Sequence, residues 1–166
     1  MRQAIVAVFV GLLAAPGLAG AQGAGTPPPD DTRAWISLGV GLGSDQGNER
    51  VGGVASIWAT HGQFAASVRA AGLARLFEVG DVGDVSVLAG VHAVRERRFD
   101  GVLGVGLGSS PRHEVAKPPS RTPVVALGGQ LLADYAVVGV GVEGFAGLWS
   151  TRHYYGFGIT LALGAF

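Results

Sequence analysis

The clearest pattern in this sequence is a strict alternation of residue types over residues 154–166. Large apolar side chains occupy nearly every second position, and small residues stand between them. Side chains of an extended strand point alternately to its two faces, so a period of two predicts a β-strand. One face would carry Tyr155, Phe157, Ile159, Leu161, Leu163 and Ala165, and the other Tyr154, Gly156, Gly158, Thr160, Ala162 and Gly164.

The same alternation recurs in seven segments upstream, which predicts eight strands in all. A helix is disfavoured because glycine recurs inside the apolar segments, at a cost of about 1 kcal/mol each in a helix interior. Valine, which prefers strands, is also frequent there. The seven further predicted strands cover Ala34–Gly43, Val51–Thr60, Gln63–Ala71, Asp84–Ala93, Phe99–Gly108, Pro123–Ala133 and Val137–Leu148.

Composition narrows the environment in which such strands could fold. Charged residues make up 14% of the chain and hydrophobic residues 48%, and 29 residues are glycine. Soluble domains contain about a quarter charged residues, so this chain has few charges with which to build a hydrated exterior. Beyond the N-terminal segment, no apolar run is long enough for a spanning helix. A β-barrel is then the structure that satisfies the backbone within a bilayer.

Cysteine content and charge exclude two further classes. The chain has no Cys, which excludes a disulfide scaffold for an exported protein. The formal net charge is zero, and removal of Arg2 with a leader peptide would make it −1. This balance provides no basic footprint for a nucleic acid.

The first residues have the organisation of a secretory signal peptide. Met1-Arg2-Gln3 is a short positive region, an apolar stretch follows, and Ala19-Gly20-Ala21 fits the small-residue cleavage pattern. The alternative is a retained N-terminal anchor. We expect a signal peptide over 1–21, a proline-rich periplasmic linker over 22–32 and the barrel over 33–166.

The direction in which the apolar face points distinguishes a membrane barrel from a soluble one. The opposite face carries mainly small residues, with Trp35, Trp58, Arg69 and Phe145 among them. Small residues make a poor hydrated exterior, but they leave room for these large side chains in a narrow lumen. The apolar face carries no charge in the core of any predicted strand, and Lys or Arg facing lipid at the midplane would cost roughly 2–4 kcal/mol. We therefore expect the apolar face to contact lipid.

The lengths of the predicted connections give a second indication. Connections after odd-numbered strands tend to be longer than those after even-numbered strands, as in membrane barrels with periplasmic termini. The odd ones cover 44–50, 72–83, 109–122 and the shorter 149–153, and the even ones lie at 61–62, 94–98 and 134–136. Aromatic residues near strand ends are predicted to form interface girdles: Tyr135, Trp149, Tyr154 and Tyr155.

In its leader, its strand alternation, its connection lengths and its final Phe166, the chain resembles the small eight-stranded outer-membrane β-barrels of Gram-negative bacteria. The resemblance implies an all-β, antiparallel, up-and-down transmembrane barrel that is monomeric and located in the bacterial outer membrane. It also implies contact with outer-membrane lipid, with lipopolysaccharide and with the barrel-assembly machinery, for which Phe166 would be the assembly signal. The alternation places Phe166 on the same face as Gly164 and Ala162.

Four charged residues fall on the face predicted to line the lumen, namely Arg69, Asp84, Asp134 and Glu143. An isolated charge in a confined site is costly. We therefore expect a polar network in the lumen, in which Arg69 pairs with a carboxylate such as Glu143. The alternative is a small binding or proton-transfer site.

Other residues could carry chemistry, but none forms a specific pattern. Ser150, His153 and Glu143 are the Ser, His and carboxylate set closest in sequence, and some small outer-membrane barrels are lipid A hydrolases with such residues on their outer strands. The local His-x-Ser motif of those enzymes is missing. His113-Glu114 lacks the further ligands of a metal site. The basic turn at 95–98 could contact phosphate groups or periplasmic partners, or could simply be solvated.

The sequence as a whole predicts a non-enzymatic outer-membrane barrel with a structural or interaction role through its surface loops. Eight strands enclose an interior that side chains fill, so we expect a plugged lumen, with no cofactor and no metal. Two alternatives are a lipid A-modifying hydrolase and a soluble periplasmic barrel that binds an apolar ligand.

Overall fold

The computed structural model describes residues 32–74, 82–96, 98–112, 120–149 and 152–166. Eight antiparallel strands, each paired with its neighbours in sequence and the last with the first, close into one barrel. The predicted all-β, up-and-down, eight-stranded fold is confirmed. The described residues include no helix that is long and apolar enough to cross a membrane. The strands are β1 Thr32–Asp45, β2 Asn48–His61, β3 Phe64–Ala74, β4 Val82–Glu96, β5 Phe99–Arg112, β6 Ser120–Tyr135, β7 Val138–Trp149 and β8 Arg152–Ala165.

The strand boundaries differ from the predicted ones mainly where strands continue into polar residues. The predicted signal peptide, 1–21, and linker residues 22–31 lie outside the described residues, whereas Thr32 begins β1 rather than ending a linker. The loop predicted at 44–50 is a turn of two residues, Gln46 and Gly47, with φ of 51° and 89°. Positive φ at both positions is typical of the turns that match the twist of a hairpin. The polar side chains of 44–50 suggested a loop, but polar residues on neighbouring strands can also pair and extend the backbone hydrogen-bond ladder, as Ser44 with Glu49 and Asp45 with Asn48 do here.

The two ends of the barrel differ in their connections. The terminal end carries Thr32, Phe166 and the two-residue turns at 62–63 and 136–137, and two residues of sequence also separate β4 from β5 there. The loop end carries the 46–47 turn and the connections 75–81, 113–119 and 150–151. Seven residues join β3 to β4 and seven join β5 to β6, whereas β1–β2 and β7–β8 are joined by two. The predicted difference in length therefore holds for two of the four loop-end connections.

Strand register sets the tilt and width of the barrel. Following paired residues once around the ring leads from Trp35 through Trp58, Ser67, Leu88, Gly106, Ala126, Gly147 and Tyr154 to Asp45. Asp45 lies ten residues beyond Trp35 on the same strand, so the strands are strongly tilted against the barrel axis. A ring of eight strands leaves an interior just wide enough for side chains to fill.

Burial follows the predicted alternation along the strands. Val40, Leu107 and Ile159 expose 73%, 72% and 70% of their surface on the outside of the barrel, whereas Trp35 and Trp58 are buried in the lumen. The prediction that the apolar face points outward is confirmed. This arrangement is the reverse of a soluble barrel, which packs its apolar face inward.

Two apolar clusters fill much of the lumen, one toward each end. The terminal cluster contains Trp35, Trp58, Leu88, Val102 and Leu132, with Phe166 packed against it. The loop cluster contains Val54, Leu73, Val82, Phe145 and Tyr154, with Trp149 packed against it. The polar side chains described below lie among and beside these clusters.

Val68→Arg tests the environment of the outward face. Val68 lies midway along β3 and is half exposed. We expect this substitution to lower the free energy of unfolding by about 2–4 kcal/mol, because the charge would face hydrocarbon. The measurement is urea titration of the protein refolded into lipid vesicles.

Val137→Arg is the matched control, since Val137 is an exposed valine in a turn at the terminal end. It should lower the free energy of unfolding by about 1 kcal/mol or less, because the cost of a charge falls toward the interface. Equal losses for the two variants would contradict the placement of the outward face in a bilayer.

Candidate functional site

Glu143 is the centre of a polar belt across the lumen. Its carboxylate accepts hydrogen bonds from Gln130 Nε2 at 2.8 Å, Ser56 Oγ at 3.0 Å and Ser37 Oγ at 3.1 Å. Trp35 Nε1 in turn donates to Gln130 Oε1 at 2.6 Å. Glu143 is fully buried, so these hydrogen bonds replace the contacts with water that its carboxyl oxygens lack. One carboxylate thus connects strands β1, β2, β6 and β7.

Arg69 reaches from β3 across the lumen and pairs with Asp84. Its Nη2 lies 3.2 Å from Oδ2 of Asp84, and both side chains are fully buried. Its Nη1 donates to the main-chain carbonyl of Leu127 on β6. The expected carboxylate partner is present, but it is Asp84 rather than Glu143. Asp84 is close because it lies on the adjacent strand, two residues from Ser86, which is the register partner of Arg69. The carboxyl group of Glu143 is instead occupied by hydrogen-bond donors from three other residues.

A glycine on β6 makes room for this crossing arginine. A Cβ atom at Gly128 would lie 2.9 Å from Arg69 Nη1 and 2.8 Å from Leu88 Cδ1. Both distances are too short for real Cβ contacts, so a side chain at this position would displace the guanidinium from the carbonyl of Leu127.

Asp134, the fourth predicted lumen residue, lies apart from the other three, in a charged group at the terminal end. It is buried there beside Asp100. Asp100 accepts a hydrogen bond from Arg33 Nη1 at 2.7 Å, and its other oxygen lies 2.6 Å from His92 Nε2. We call these four residues, Arg33, His92, Asp100 and Asp134, the terminal charge group.

Phe166 also lies at the terminal end, with its ring turned toward the lumen. The ring stacks on Trp35, with centroids 5.7 Å apart. A Cβ atom at Gly139 would lie 3.0 Å from the edge of the ring. The side chain thus lies on the face that the alternation predicts for it. Its predicted role as an assembly signal stays a prediction.

Asp45 organises the loop end of the lumen. It accepts hydrogen bonds from Arg50 Nη2 at 2.7 Å and from Arg152 Nε at 2.8 Å. The guanidinium of Arg152 lies 6.0 Å from the ring centroid of Trp149, and that ring packs against Tyr154 at 5.8 Å. Tyr154 is therefore a lumen residue and not part of an interface girdle, as its position on the small-residue face of β8 already indicated.

Sequence reasoning missed several of these polar residues. Ser37, Ser56, Gln130, His92 and Asp100 are all buried in the lumen. Their inward positions in the alternation were available as a signal. A polar residue on the predicted lumen face of any strand could have been counted as a candidate.

Glu143 and His153, two of the Ser, His and carboxylate residues closest in sequence, lie on opposite faces of the barrel wall. Glu143 on β7 points into the lumen, whereas His153 on β8 is exposed on the outside of the barrel. Ser150, His113-Glu114 and Arg97 lie outside the described residues. In the part of the chain that the structure describes, no three His, Asp or Glu side chains are grouped as metal ligands.

Asp84→Asn tests the buried ion pair. The change leaves the Arg69 guanidinium buried without a counter-charge, which typically costs about 3–5 kcal/mol. We expect a loss of that size in the free energy of unfolding, measured by guanidinium titration in detergent micelles.

Two comparisons make this experiment specific. Glu49→Gln, at an exposed carboxylate of the loop end, should change stability by about 0.5 kcal/mol or less. The double variant Arg69→Met with Asp84→Asn removes both charges and should recover part of the loss. A single variant as stable as the wild type would show that the pair is not buried in the folded barrel.

Comparisons with known proteins agree on the architecture. No protein-family model and no curated protein sequence matches this chain. Among solved structures, the N-terminal β-barrel domain of OprF from Pseudomonas aeruginosa matches with a TM-score of 0.57 and 9% identity, over 81% of this chain and 98% of that one.

Two further structures are similar. Neisserial surface protein A matches with a TM-score of 0.55 and 9% identity, over 80% of this chain and 96% of that one. Ail, the attachment invasion locus protein of Yersinia pestis, matches with a TM-score of 0.53 and 14% identity, over 84% of this chain and 100% of that one. This chain therefore has the fold of the small eight-stranded outer-membrane β-barrels.

Proposed function

We propose that this protein is a non-enzymatic, monomeric β-barrel of the bacterial outer membrane, with a lumen plugged by its own side chains and a contact role at its loop end. The observation that carries the proposal is the continuous apolar exterior of a closed barrel. Large aliphatic residues of β1, β4, β5 and β8 are exposed, among them Leu38, Val87, Leu107 and Ile159. Apolar side chains are stable against hydrocarbon. The backbone is stable there too, because a closed barrel leaves no strand edge with unpaired amide or carbonyl groups.

The contacts across the lumen support a plug rather than a pore. Arg69 extends from β3 to the carbonyl of Leu127 on β6. Glu143 accepts hydrogen bonds from β1, β2 and β6. The apolar terminal and loop clusters lie toward the two ends. A continuous water path would have to break these contacts.

Two observations speak against the alternatives. The only Glu near His153 in sequence points into the lumen while His153 faces out, so a lipid A hydrolase would need a different acid. A soluble barrel would need a hydrated exterior, whereas Leu38, Val87 and Ile159 are exposed on the outside of this one.

Lipid and lipopolysaccharide are the partners that the two ends suit best. Arg121 and the partly exposed Arg152 place positive charge at the loop end, where phosphate groups of lipopolysaccharide could be contacted. The structure of Ail in complex with the heparin analogue sucrose octasulfate shows an anionic ligand on that protein. For the barrel-assembly machinery we propose Phe166 as the contact, made before its ring packs on Trp35.

Cell fractionation with a heat-modifiability gel tests the location. We expect the protein in the outer-membrane fraction, and a folded band that migrates differently from the boiled one because a closed barrel resists detergent. A protein found wholly in the soluble fraction would contradict the proposal.

Conductance across a planar lipid bilayer tests the plug separately. The wild type should show no sustained channel current. The charge-balanced variant Arg69→Ala with Asp84→Ala removes the crossing pair and should conduct more often than the wild type. A steady current through the wild type would contradict a plugged lumen and leave the membrane location standing.

A further inference from the structure

Two serine hydroxyl groups and the carboxyl group of Glu143 form a closed triangle in the lumen. Ser37 Oγ lies 2.7 Å from Ser56 Oγ. Glu143 Oε1 lies 3.0 Å from Ser56 Oγ, and Glu143 Oε2 lies 3.1 Å from Ser37 Oγ. Ser56 Oγ is also 3.3 Å from this second carboxyl oxygen. These distances are within or just beyond the range of O–H···O hydrogen bonds, each of which needs one proton. The triangle therefore requires three protons.

The two serines supply two of these three protons, because each hydroxyl group has one proton to donate. The Ser37–Ser56 distance is the typical length of a hydrogen bond between hydroxyl groups, so one serine proton lies between the two serines. The other serine proton can serve one of the two sides that reach Glu143. With an ionised Glu143, the remaining side would be an oxygen–oxygen contact of 3.0 or 3.1 Å without a proton.

The amide of Gln130 uses its protons in other bonds. Trp35 Nε1, which can only donate, lies 2.6 Å from Gln130 Oε1, so the amide nitrogen faces the triangle. This nitrogen lies 2.8 Å from Ser37 Oγ and 2.8 Å from Glu143 Oε2, and these two bonds use its two protons. Among the described contacts of the triangle, the carboxyl group is the remaining source of a third proton.

The charged side chains beside Glu143 already balance each other. The guanidinium of Arg69 on β3 acts on Glu143, and it lies 6.0 Å from the ring centroid of Phe145 on the same face of β7. Its counter-ion is Asp84 on β4, so this pair has no net charge. An ionised Glu143 would add an unbalanced buried charge, which is costly. The residues that β1, β2, β6 and β8 place against Glu143 do not titrate: Ser37, Ser56, Gln130 and Gly158.

We propose that Glu143 binds a proton in the folded barrel and is a neutral carboxylic acid at neutral pH. Its Oε2–H donates to Ser37 Oγ, Ser37 donates to Ser56 Oγ, and Ser56 donates to the other carboxyl oxygen. The contact of 3.1 Å is then donated by Glu143 rather than accepted. This ring joins β1, β2 and β7 and opens when the proton is lost. A glutamate of the unfolded chain is ionised at neutral pH, so occupancy of this proton site is coupled to folding.

Infrared spectroscopy of the refolded full-length protein in detergent detects the proton directly. The carbonyl stretch of a protonated carboxylic acid is separated from the bands of a carboxylate, and isotopic labelling of the glutamate carboxyl groups identifies a band as glutamate. At neutral pH we expect the wild type to show a protonated glutamate band that shifts on labelling. A wild type in which every glutamate is ionised would overturn the inference without the use of any variant.

Two substitutions assign this band. Glu143→Gln should remove it, whereas Glu96→Gln, at an exposed glutamate of the terminal end, should leave it unchanged. We expect Glu143→Gln to fold, because a glutamine amide can donate to Ser37 and accept from Ser56 as the neutral acid does. A band that persists in Glu143→Gln would place the proton on another glutamate and refute the site.

Unfolding at several pH values tests the coupling to folding. If folding takes up one proton at Glu143, stability falls as the pH rises. The unfolding constant of the wild type, divided by that of Glu143→Gln, should increase about tenfold per pH unit between about pH 5 and pH 7. The other titrating groups, His92 and Asp100 among them, are present in both proteins and cancel in this ratio. A ratio that does not change with pH would show that Glu143 is ionised in the folded barrel.

Discussion

The structure depends on the closure of its hydrogen-bond ladder. In hydrocarbon no water can satisfy a free backbone amide or carbonyl, so a sheet in a membrane has to leave no open edge. Here β8 pairs with β1 from Ala34 to Asp45, and every other strand pairs with its two neighbours. Closure with a shift of ten residues around the ring sets the tilt, and the tilt sets how much space remains inside.

That narrow interior explains the distribution of side-chain sizes. Large residues occupy the lumen where glycines leave room for them. Arg69 crosses from β3 to Gly128 on β6, whereas Tyr154 lies over Gly147, its register partner on the adjacent strand, where a Cβ atom would lie 2.3 Å from the ring. Glycines in the wall therefore leave the space that two tryptophans, a phenylalanine and an arginine occupy in the narrow lumen. Outside, the aliphatic residues face the membrane and have no such constraint.

Three groups of buried charged side chains along the lumen are ion pairs, whereas Glu143 is held by the neutral donors Gln130, Ser56 and Ser37. Asp45 lies with Arg50 and Arg152 at the loop end, Arg69 with Asp84 in the interior, and Asp100 with Arg33 and His92 at the terminal end. Each of these side chains has ion-pair or hydrogen-bond partners, because a lone buried charge is costly. The charges also tie strands that are not neighbours, as Arg69 does between β3 and β6. The strands of the barrel are therefore connected through the lumen as well as through the backbone hydrogen-bond ladder.

The sequence by itself determined which side of the wall each strand residue occupies, because alternation is a local property of an extended chain. Ile159 outside and Thr160 inside follow from a period of two alone, as do the inward positions of Arg69 and Glu143. The tertiary structure alone decided which lumen residues meet. Arg152 reaches Asp45 across β8 and β1, and Arg69 meets Asp84 rather than Glu143, because register and tilt set the heights of side chains from distant parts of the chain. Those heights depend on the registers of all eight strand pairs together, so they cannot be predicted from any single segment of the sequence.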